Sequence, residues 1–472
     1  MHISKIAITS IALVLALGAY AQDTLRLSLD DCHQLALKNS QNIKIAEETI
    51  NKASGEKIAA RAAWLPKISA NAYGLYSEQN FKKDIYLPTK VVDPSTGQLV
   101  PNILTNPSGN PVIGADGNPV FNTYAFLPID ITLQGGVLAN ISVQQPIFAG
   151  GRIIAGNKMA STGQIMANYN KQLQTTQLIY ETDKAYYRYL SIRSKVRLAQ
   201  KYQELLRQLV KTVSDAYETG MKNRNDLLKV QVKYNDAKLQ LQKAQSGLLL
   251  SQMALCQTIG IPLNSPIAID DSITINSSQF AIADSISVAN RVEYKLLEDQ
   301  VKMAKQNINL VRGQYLPSAG VSANYNRLEV GLKDMNNYSS NSFSLMGTIK
   351  IPLTAFGEGY GRVKSAKADY NIKQLELQKT KELLQLENEQ ARQNLINANT
   401  QVAMAREAVE QANENMRVTD DNYNVGMETI VNVLEAKLEW QKAYTSLIDA
   451  LTELKVQQSN YNRITNKLTV DE

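Results

Sequence analysis

The chain is written twice. Over more than a hundred positions a first copy answers to a second at a fixed offset of 206 residues. Pro146 matches Pro352, Ala185 Ala391, Tyr217 Tyr423, Gly220 Gly426, Met221 Met427, Tyr234 Trp440 and Leu241 Leu447, with no gap between them. Upstream the match continues at an offset of 251, Leu65-Pro66 answering to Leu316-Pro317, so the first copy carries about 45 extra residues between its two prolines. A duplication of this length bounds the fold, because whatever one copy builds the other must build too.

The N-terminus reads Met-His-Ile-Ser-Lys, then an apolar run from Ile6 to Leu17, then Ala19-Tyr20-Ala21. That is the three-part pattern of a secretory signal peptide over residues 1–21, and the mature chain is expected to begin at Gln22, without a cysteine to lipidate. Beyond it nothing approaches the roughly 18–20 uninterrupted apolar residues of a membrane-crossing helix, so any bilayer span must be made of strands. Fifty basic against 44 acidic side chains, a formal net charge of +6, is too mild for nucleic acid as a partner.

Past the signal the chain keeps one histidine, His33, and its two cysteines, Cys32 and Cys256. A zinc site, a Ser-His-Asp triad or a Cys-His pair would each need more, so neither metal, cofactor nor catalytic residue is expected and the chain reads as no enzyme. His33 reads as an ordinary helix-surface residue. The cysteines could pair in an oxidising compartment or stay as two buried thiols; the sequence leaves both open.

Helical periodicity dominates the second part of each copy. Ala185, Tyr189, Ile192, Val196, Ala199, Leu206, Val210, Val213 and Tyr217 alternate at spacings of four and three, broken only at Gln203. The second copy repeats the pattern from Ala391 to Tyr423, and returning segments run from Leu227 to Leu248 and from Val433 to Leu454. A sustained period of 3.5 means coiled-coil packing. Gly220 and Gly426, each three residues after the matching Tyr, read as the turns of two helical hairpins. With no proline between Pro146 and Pro262, the outgoing helix is expected from about Lys158 to Tyr217, a rod of about 90 Å.

Ahead of each rod lie two segments of period 2. Ile68, Ala70 and Ala72 alternate with Ser69, Asn71 and Tyr73; Val137 to Gln144, Val321 to Asn326 and Phe343 to Ile351 behave alike. One face is apolar and the other polar, as in a transmembrane barrel strand. A long insert from about Asn80 to Leu133, read as loop, joins the first pair, and a short turn around Gly331 to Asn341 joins the second. Four strands cannot close a barrel alone; three chains would supply twelve.

These residues resemble the TolC-type family of outer-membrane efflux ducts over nearly the whole mature chain. Its most specific motif is Tyr423-Asn424-Val425-Gly426-Met427-Glu428-Thr429-Ile430-Val431-Asn432-Val433-Leu434-Glu435, similar to the family's aperture tip, with a counterpart from Tyr217 through Gly220 to Asp226-Leu227-Leu228. The resemblance implies a mainly α fold with a β-barrel part. Homotrimers would form an outer-membrane barrel, four strands per chain, set in outer-membrane lipid and continued across the periplasm by a long α-helical coiled-coil tunnel. Two internal repeats, 22–260 and 286–472, would flank a linker at 261–285 that belongs to an equatorial belt. A periplasmic adaptor and an inner-membrane transporter are the implied partners.

Among the tip residues Tyr423 and Asp226 fit the family's inter-hairpin lock, but Glu428 stands where the family has Arg, Asn432 replaces the first aperture aspartate and Glu435 the second. Lys222 and Arg224 on the first tip offer Glu428 a charge-swapped lock, each exposed pair contributing about 0.2–1 kcal/mol. Glu435 would then form the remaining acidic ring.

Other motifs are bland. Phe356-Gly357-Glu358-Gly359-Tyr360-Gly361 lacks the Lys-Ser/Thr of a phosphate loop and, like Ala149-Gly150-Gly151, reads as a strand-to-helix bend. Asp30-Asp31, Asp270-Asp271 and Asp420-Asp421 read as caps or solvated acids. The alternative function is a trimeric coiled-coil structural or adhesin protein of the envelope with no export role; strand pairs repeated in both copies argue against it.

Overall fold

The computed structural model describes residues 25–77, 79–272, 287–333, 336–353 and 356–468. The expected signal peptide and most of the inter-repeat linker lie outside them. The chain divides into two compact units, one of residues 1–58, 155–308 and 361–472 and one of 59–154 and 309–360.

The first unit is helical. Its rods are α3 (Arg152–Glu218) and α6 (Glu358–Asn424), each 67 residues, and its returning helices are α4 (Arg224–Thr258) and α7 (Ile430–Ile464), each 35 residues. All four bounds keep the 206-residue offset of the sequence. At 1.5 Å per residue each rod is about 100 Å long, and α3 starts six residues before the expected Lys158, because two left-handed glycines, Gly150 and Gly151, turn the chain directly into it.

The seam residues are where the period predicts. Tyr189, Val196, Ala199, Leu206 and Val213 are buried on α3, and Ala391, Leu395, Ala398, Val402, Ala405 and Val409 on α6. Each faces its returning helix: Leu206 and Val213 share a core with Val230 and Ala237 of α4 and with Trp440 of α7, while Leu395 and Val402 share one with Ala450 and Leu454 of α7. Alanine at every second seam position of α6 keeps the neighbouring helices close.

The N-terminal helices α1 (Leu29–Asn39) and α2 (Gln41–Ala62) begin in this unit. A capping box starts α1: the Ser28 side chain accepts from the Asp31 N–H at 3.2 Å while Asp31 accepts from the Ser28 N–H at 2.9 Å. Ahead of it β1 (Leu25–Arg26) pairs in parallel with β7 (Ile267–Ala268), so the described part of the linker carries a short strand that holds Leu25 and Arg26. A 3-10 turn at Val288–Asn290 leads into α5 (Val292–Gly313).

The second unit is an antiparallel sheet of β2 (Lys67–Leu75), β6 (Tyr124–Ala149), β8 (Ser318–Leu332) and β9 (Tyr338–Lys350), in that order. A further strand, β3 (Gln79–Pro88), lies on the same edge of β6 as β2 and pairs with its N-terminal part. The insert expected as loop from Asn80 to Leu133 therefore has strand at both ends, in β3 and the start of β6, with the small hairpin of β4 (Lys90–Val92) and β5 (Leu99–Pro101) between them. The reason is visible in its residues: Ile85 and Leu87 face Leu127 and Ala125 across the pair, an apolar alternation hidden among prolines and glycines.

In the lower sheet the faces separate cleanly. Ser69, Ser142 and Asn324 share one face; Ile141, Tyr325 and Phe343 share the other and are about half or more exposed. β2 and β9 are the two outer edges. No described helix is long and apolar enough to cross a membrane, which bears on helices alone.

Candidate functional site: the helix tips

Each rod ends in the same turn. Beyond α3, Gly220 has φ +75° and the Met221 N–H reaches back to the Ala216 carbonyl at 2.8 Å; beyond α6, Gly426 has φ +82° and the Met427 N–H reaches the Asn422 carbonyl at 2.9 Å. A Cβ at either glycine would meet nothing within 4 Å, so the left-handed backbone, and not crowding, demands glycine. The returning helices start from side-chain caps, Asn223 accepting from the Asp226 N–H at 2.9 Å and Thr429 from the Asn432 N–H at 3.3 Å.

The two tips meet at Tyr423. Its ring is 7% exposed in the core formed by Val213, Val230, Ile430 and Val433, and the Lys222 ammonium of the other tip stands 4.5 Å from the ring centroid. Burial, and then the charge of Asp226, push the phenol above its ordinary pKa, and its buried hydroxyl has no hydrogen-bond partner among the described residues. Tyr217, its counterpart, is 40% exposed.

Among the described residues no ion pair joins Lys222 or Arg224 to Glu428 or Asp226 inside one chain. Glu428 folds back on its own helix start, accepting from the Asn432 side-chain amide at 2.5 Å and the Thr429 N–H at 3.2 Å. Asp226 has Lys229 at 3.9 Å. Arg224 is exposed in the first turn of α4. Glu435 is exposed on the rim of an apolar groove of about 590 Å³ between α4 and α7, whose walls are Leu228, Val232 and Leu434 and whose charges are Lys229 and Lys233.

Sequence reasoning missed the strongest charge at the tips. Lys437 is 5% exposed and donates to both carboxylate oxygens of Asp420, at 2.7 and 2.5 Å. Asp420, expected as a solvated acid, thus ties α6 to α7, while Asp421 accepts from Arg417 at 2.9 Å. An Asp and a Lys seventeen residues apart across a turn, both on seam-adjacent positions, was the available signal.

At the other end of the helical unit two expectations change. His33 is no surface residue: its Nε2 lies 2.6 Å from Asp183 Oδ1, and the same buried carboxylate accepts from the Ser459 hydroxyl. The histidine lies at the end of this chain of contacts, not between the acid and the serine, so the trio links α1, α3 and α7 without the geometry of nucleophilic catalysis. Asp271 accepts from the Tyr186 hydroxyl at 2.5 Å. Cys32 and Cys256 are free thiols buried in one core; burial, aided by the Asp31 charge, pushes the Cys32 thiol up to about 12.

The fold is shared with known proteins. The profile of the outer membrane efflux protein family matches residues 115–261 and 289–466. The chain belongs to the outer membrane efflux protein family. It is a protein of the outer membrane, with its helical part periplasmic. Outer membrane protein TolC of Vibrio cholerae is 24% identical over 281 residues, a match that spans 58% of this chain and 64% of that protein's length.

Solved structures agree in fold. CusC, in a study of its folding and transmembrane channel formation, has a TM-score of 0.75 at 14% identity, covering 93% of this chain and 91% of that one. The Campylobacter jejuni CmeC outer membrane channel has 0.74 at 15% identity, covering 93% and 85%. The Vibrio cholerae outer membrane protein VceC has 0.70 at 14%, covering 93% and 95%. The relatives described as channels are not described as enzymes, and the adhesin reading is not favoured.

Proposed function

We propose that this family member is the passive exit duct of a three-part export system. Three copies close a twelve-stranded barrel in the outer membrane, and their helical hairpins form a tunnel that receives cargo from an inner-membrane transporter through a periplasmic adaptor. One observation carries the reading: the sheet has an apolar face opposite a hydroxyl- and amide-lined one, and leaves β2 and β9 each with one free edge. Unpaired edges in a bilayer cost several kcal/mol per lost hydrogen bond, and pairing β9 of one copy with β2 of the next removes those of β2 and β9.

The tips are proposed as the tunnel's closable end. Tyr217, Gly220, Lys222, Arg224 and Asp226 form one half of each hairpin pair and Tyr423, Gly426, Glu428, Asn432 and Glu435 the other, with three Glu435 carboxylates favouring cations at the narrow end. Light scattering of detergent-extracted protein is expected to give a trimer, and planar bilayers containing it discrete conductance steps. A monomeric mass with no conductance would refute the duct.

A further inference from the structure

The two faces of the sheet exchange character partway along it. Directly opposed residues of an antiparallel pair share a face, so the register follows each face from rung to rung. Beyond the rung of Lys67, Gln144, Ser322 and Met346 the polar face presents hydroxyls and amides, ending in the row Asn71, Asn140, Asn326 and Ser342, where the Asn140 side-chain amide donates to the Asn326 side-chain oxygen at 2.6 Å. One rung farther out that same face turns apolar. Tyr73, Leu138 and Leu328 lie side by side, followed by Leu75 and Val330, and a bulge between Leu133 and Gly136 brings Leu133 to the same side.

On the opposite face the change runs the other way. The apolar pair Tyr325 and Phe343 gives way to Arg327, which donates to Glu329 at 2.5 Å. Charge on that side marks the end of the lipid-facing band, so the apolar patch on the first side cannot be a continuation of the lipid surface.

The patch borders an open hollow of about 300 Å³, lined by Tyr73, Leu75, Leu133, Leu138, Leu328 and Val330 and completed by Ser77 and the segment 135–137. Its floor is Gly136, which sits between Leu75 and Val330 and offers no side chain. A Cβ there would stand 2.6 Å from the Glu329 carbonyl oxygen, so the neighbouring backbone keeps position 136 without a side chain. It is the size of a small-ligand pocket, and the hydrogen-bonding Asn row begins one rung away, about 7 Å along the strands. No charged side chain shares the face from Ser69 to Leu75 or at the opposed positions of β6, β8 and β9.

We propose that this hollow is a transit subsite, three per trimer, for uncharged amphiphiles: an aromatic ring or short alkyl group enters the hollow and a hydroxyl or amide end rests on Asn140, Asn326 and Ser342. The proposal rests on the duct reading, which makes this face the inner wall. Uncharged lining excludes selection by net charge here and leaves apolar area and hydrogen bonding as the means of retention.

The test uses the full chain in planar bilayers, with p-nitrophenyl β-glucoside as a neutral probe with one aromatic and one hydroxylated end, and methyl β-glucoside as its counterpart without the ring. Brief current interruptions are expected with the first and not the second. Leu328→Asn and, separately, Leu138→Asn should shorten them at least about fivefold, Asn140→Ala should shorten them less, and Glu329→Gln on the opposite face should leave them unchanged. Equal effects of the two glucosides, or interruptions that persist in both leucine variants, would overturn the subsite while the conductance upholds the duct. Absence of any conductance together with a monomeric mass would remove the duct reading and the subsite with it.

Discussion

The Lys437 ammonium is buried as deeply as the core side chains around it, and among the described residues the two oxygens of Asp420 compensate it. Asp420→Asn would leave that charge without a counter-ion. Because the Asp420 side chain is itself 37% exposed, water screens the loss, and a destabilisation of about 1–2 kcal/mol is expected instead of the ~3–5 of a fully buried pair. The midpoint of denaturant unfolding, followed by circular dichroism, measures it; an unchanged midpoint would mean the ammonium finds water. The cysteines give a second check. A Cys32 thiol held up at about 12 by burial has almost no thiolate at pH 8, so maleimide should label neither Cys32 nor Cys256 in the native protein and both after unfolding. Its folded pKa is raised above the unfolded value, so its contribution to stability is complete below about pH 9 and is lost as pH rises toward 12. Rapid native labelling would contradict the burial of both. The Asp420–Lys437 pair left only its seventeen-residue spacing across the turn as a signal, and the contacts of His33 left none, since it looks like any helix residue until α3 and α7 bring Asp183 and Ser459 to it.

At the scale of elements the reading was most secure where a period was long. Tyr189, Val196 and Leu206 on α3 and the run from Ala391 to Val409 on α6 are buried as the 3.5-residue spacing requires, because repeated burial on one stripe leaves few other packings open. It was least secure in the insert, where Pro88, Pro101 and several glycines interrupt the alternation, and the strands are held by pairing with β6, a partner the local sequence does not announce. The turns can be tested directly. Gly426→Ala forces a Cβ into a backbone at φ +82°, and Gly220→Ala does the same at φ +75°. Each should cost about 1–2 kcal/mol by the left-handed penalty alone, since no neighbour crowds either site. Comparable losses at both positions by thermal unfolding are the expected result. A neutral Gly426→Ala would mean that the second tip rearranges without cost.

For the proposed trimer the question is what would hold the tips shut, and the single chain narrows the answer. Lys222 is engaged with the Tyr423 ring and Glu428 with Asn432 and Thr429, so neither supplies a ready ion pair within the chain. Arg224, exposed at the start of α4 and without a partner among the described residues, is the cation left to meet Glu428 of a neighbouring copy. Such a pair reverses the polarity that the TolC-type resemblance implies for this position, where Glu428 replaces a basic residue. One exposed pair contributes about 0.2–1 kcal/mol, too little to hold a gate, but three acting together reach about 0.6–3 kcal/mol and bias a closed state from a few-fold to over a hundredfold. Glu428→Lys would set like charges against Arg224 three times over, and is expected to raise resting conductance in planar bilayers and antibiotic uptake in cells. Adding Lys222→Glu and Arg224→Glu restores opposite signs and should restore closure. High salt discriminates further, because exposed pairs are screened within about 8–10 Å at physiological strength and more strongly above it, so wild-type resting conductance should rise with salt beyond the rise in bulk conductivity. A single reversal that leaves conductance at the wild-type level, or a triple change that fails to recover it, would assign closure to packing around Tyr423, whose ring is already buried by the side chains of all four helix ends.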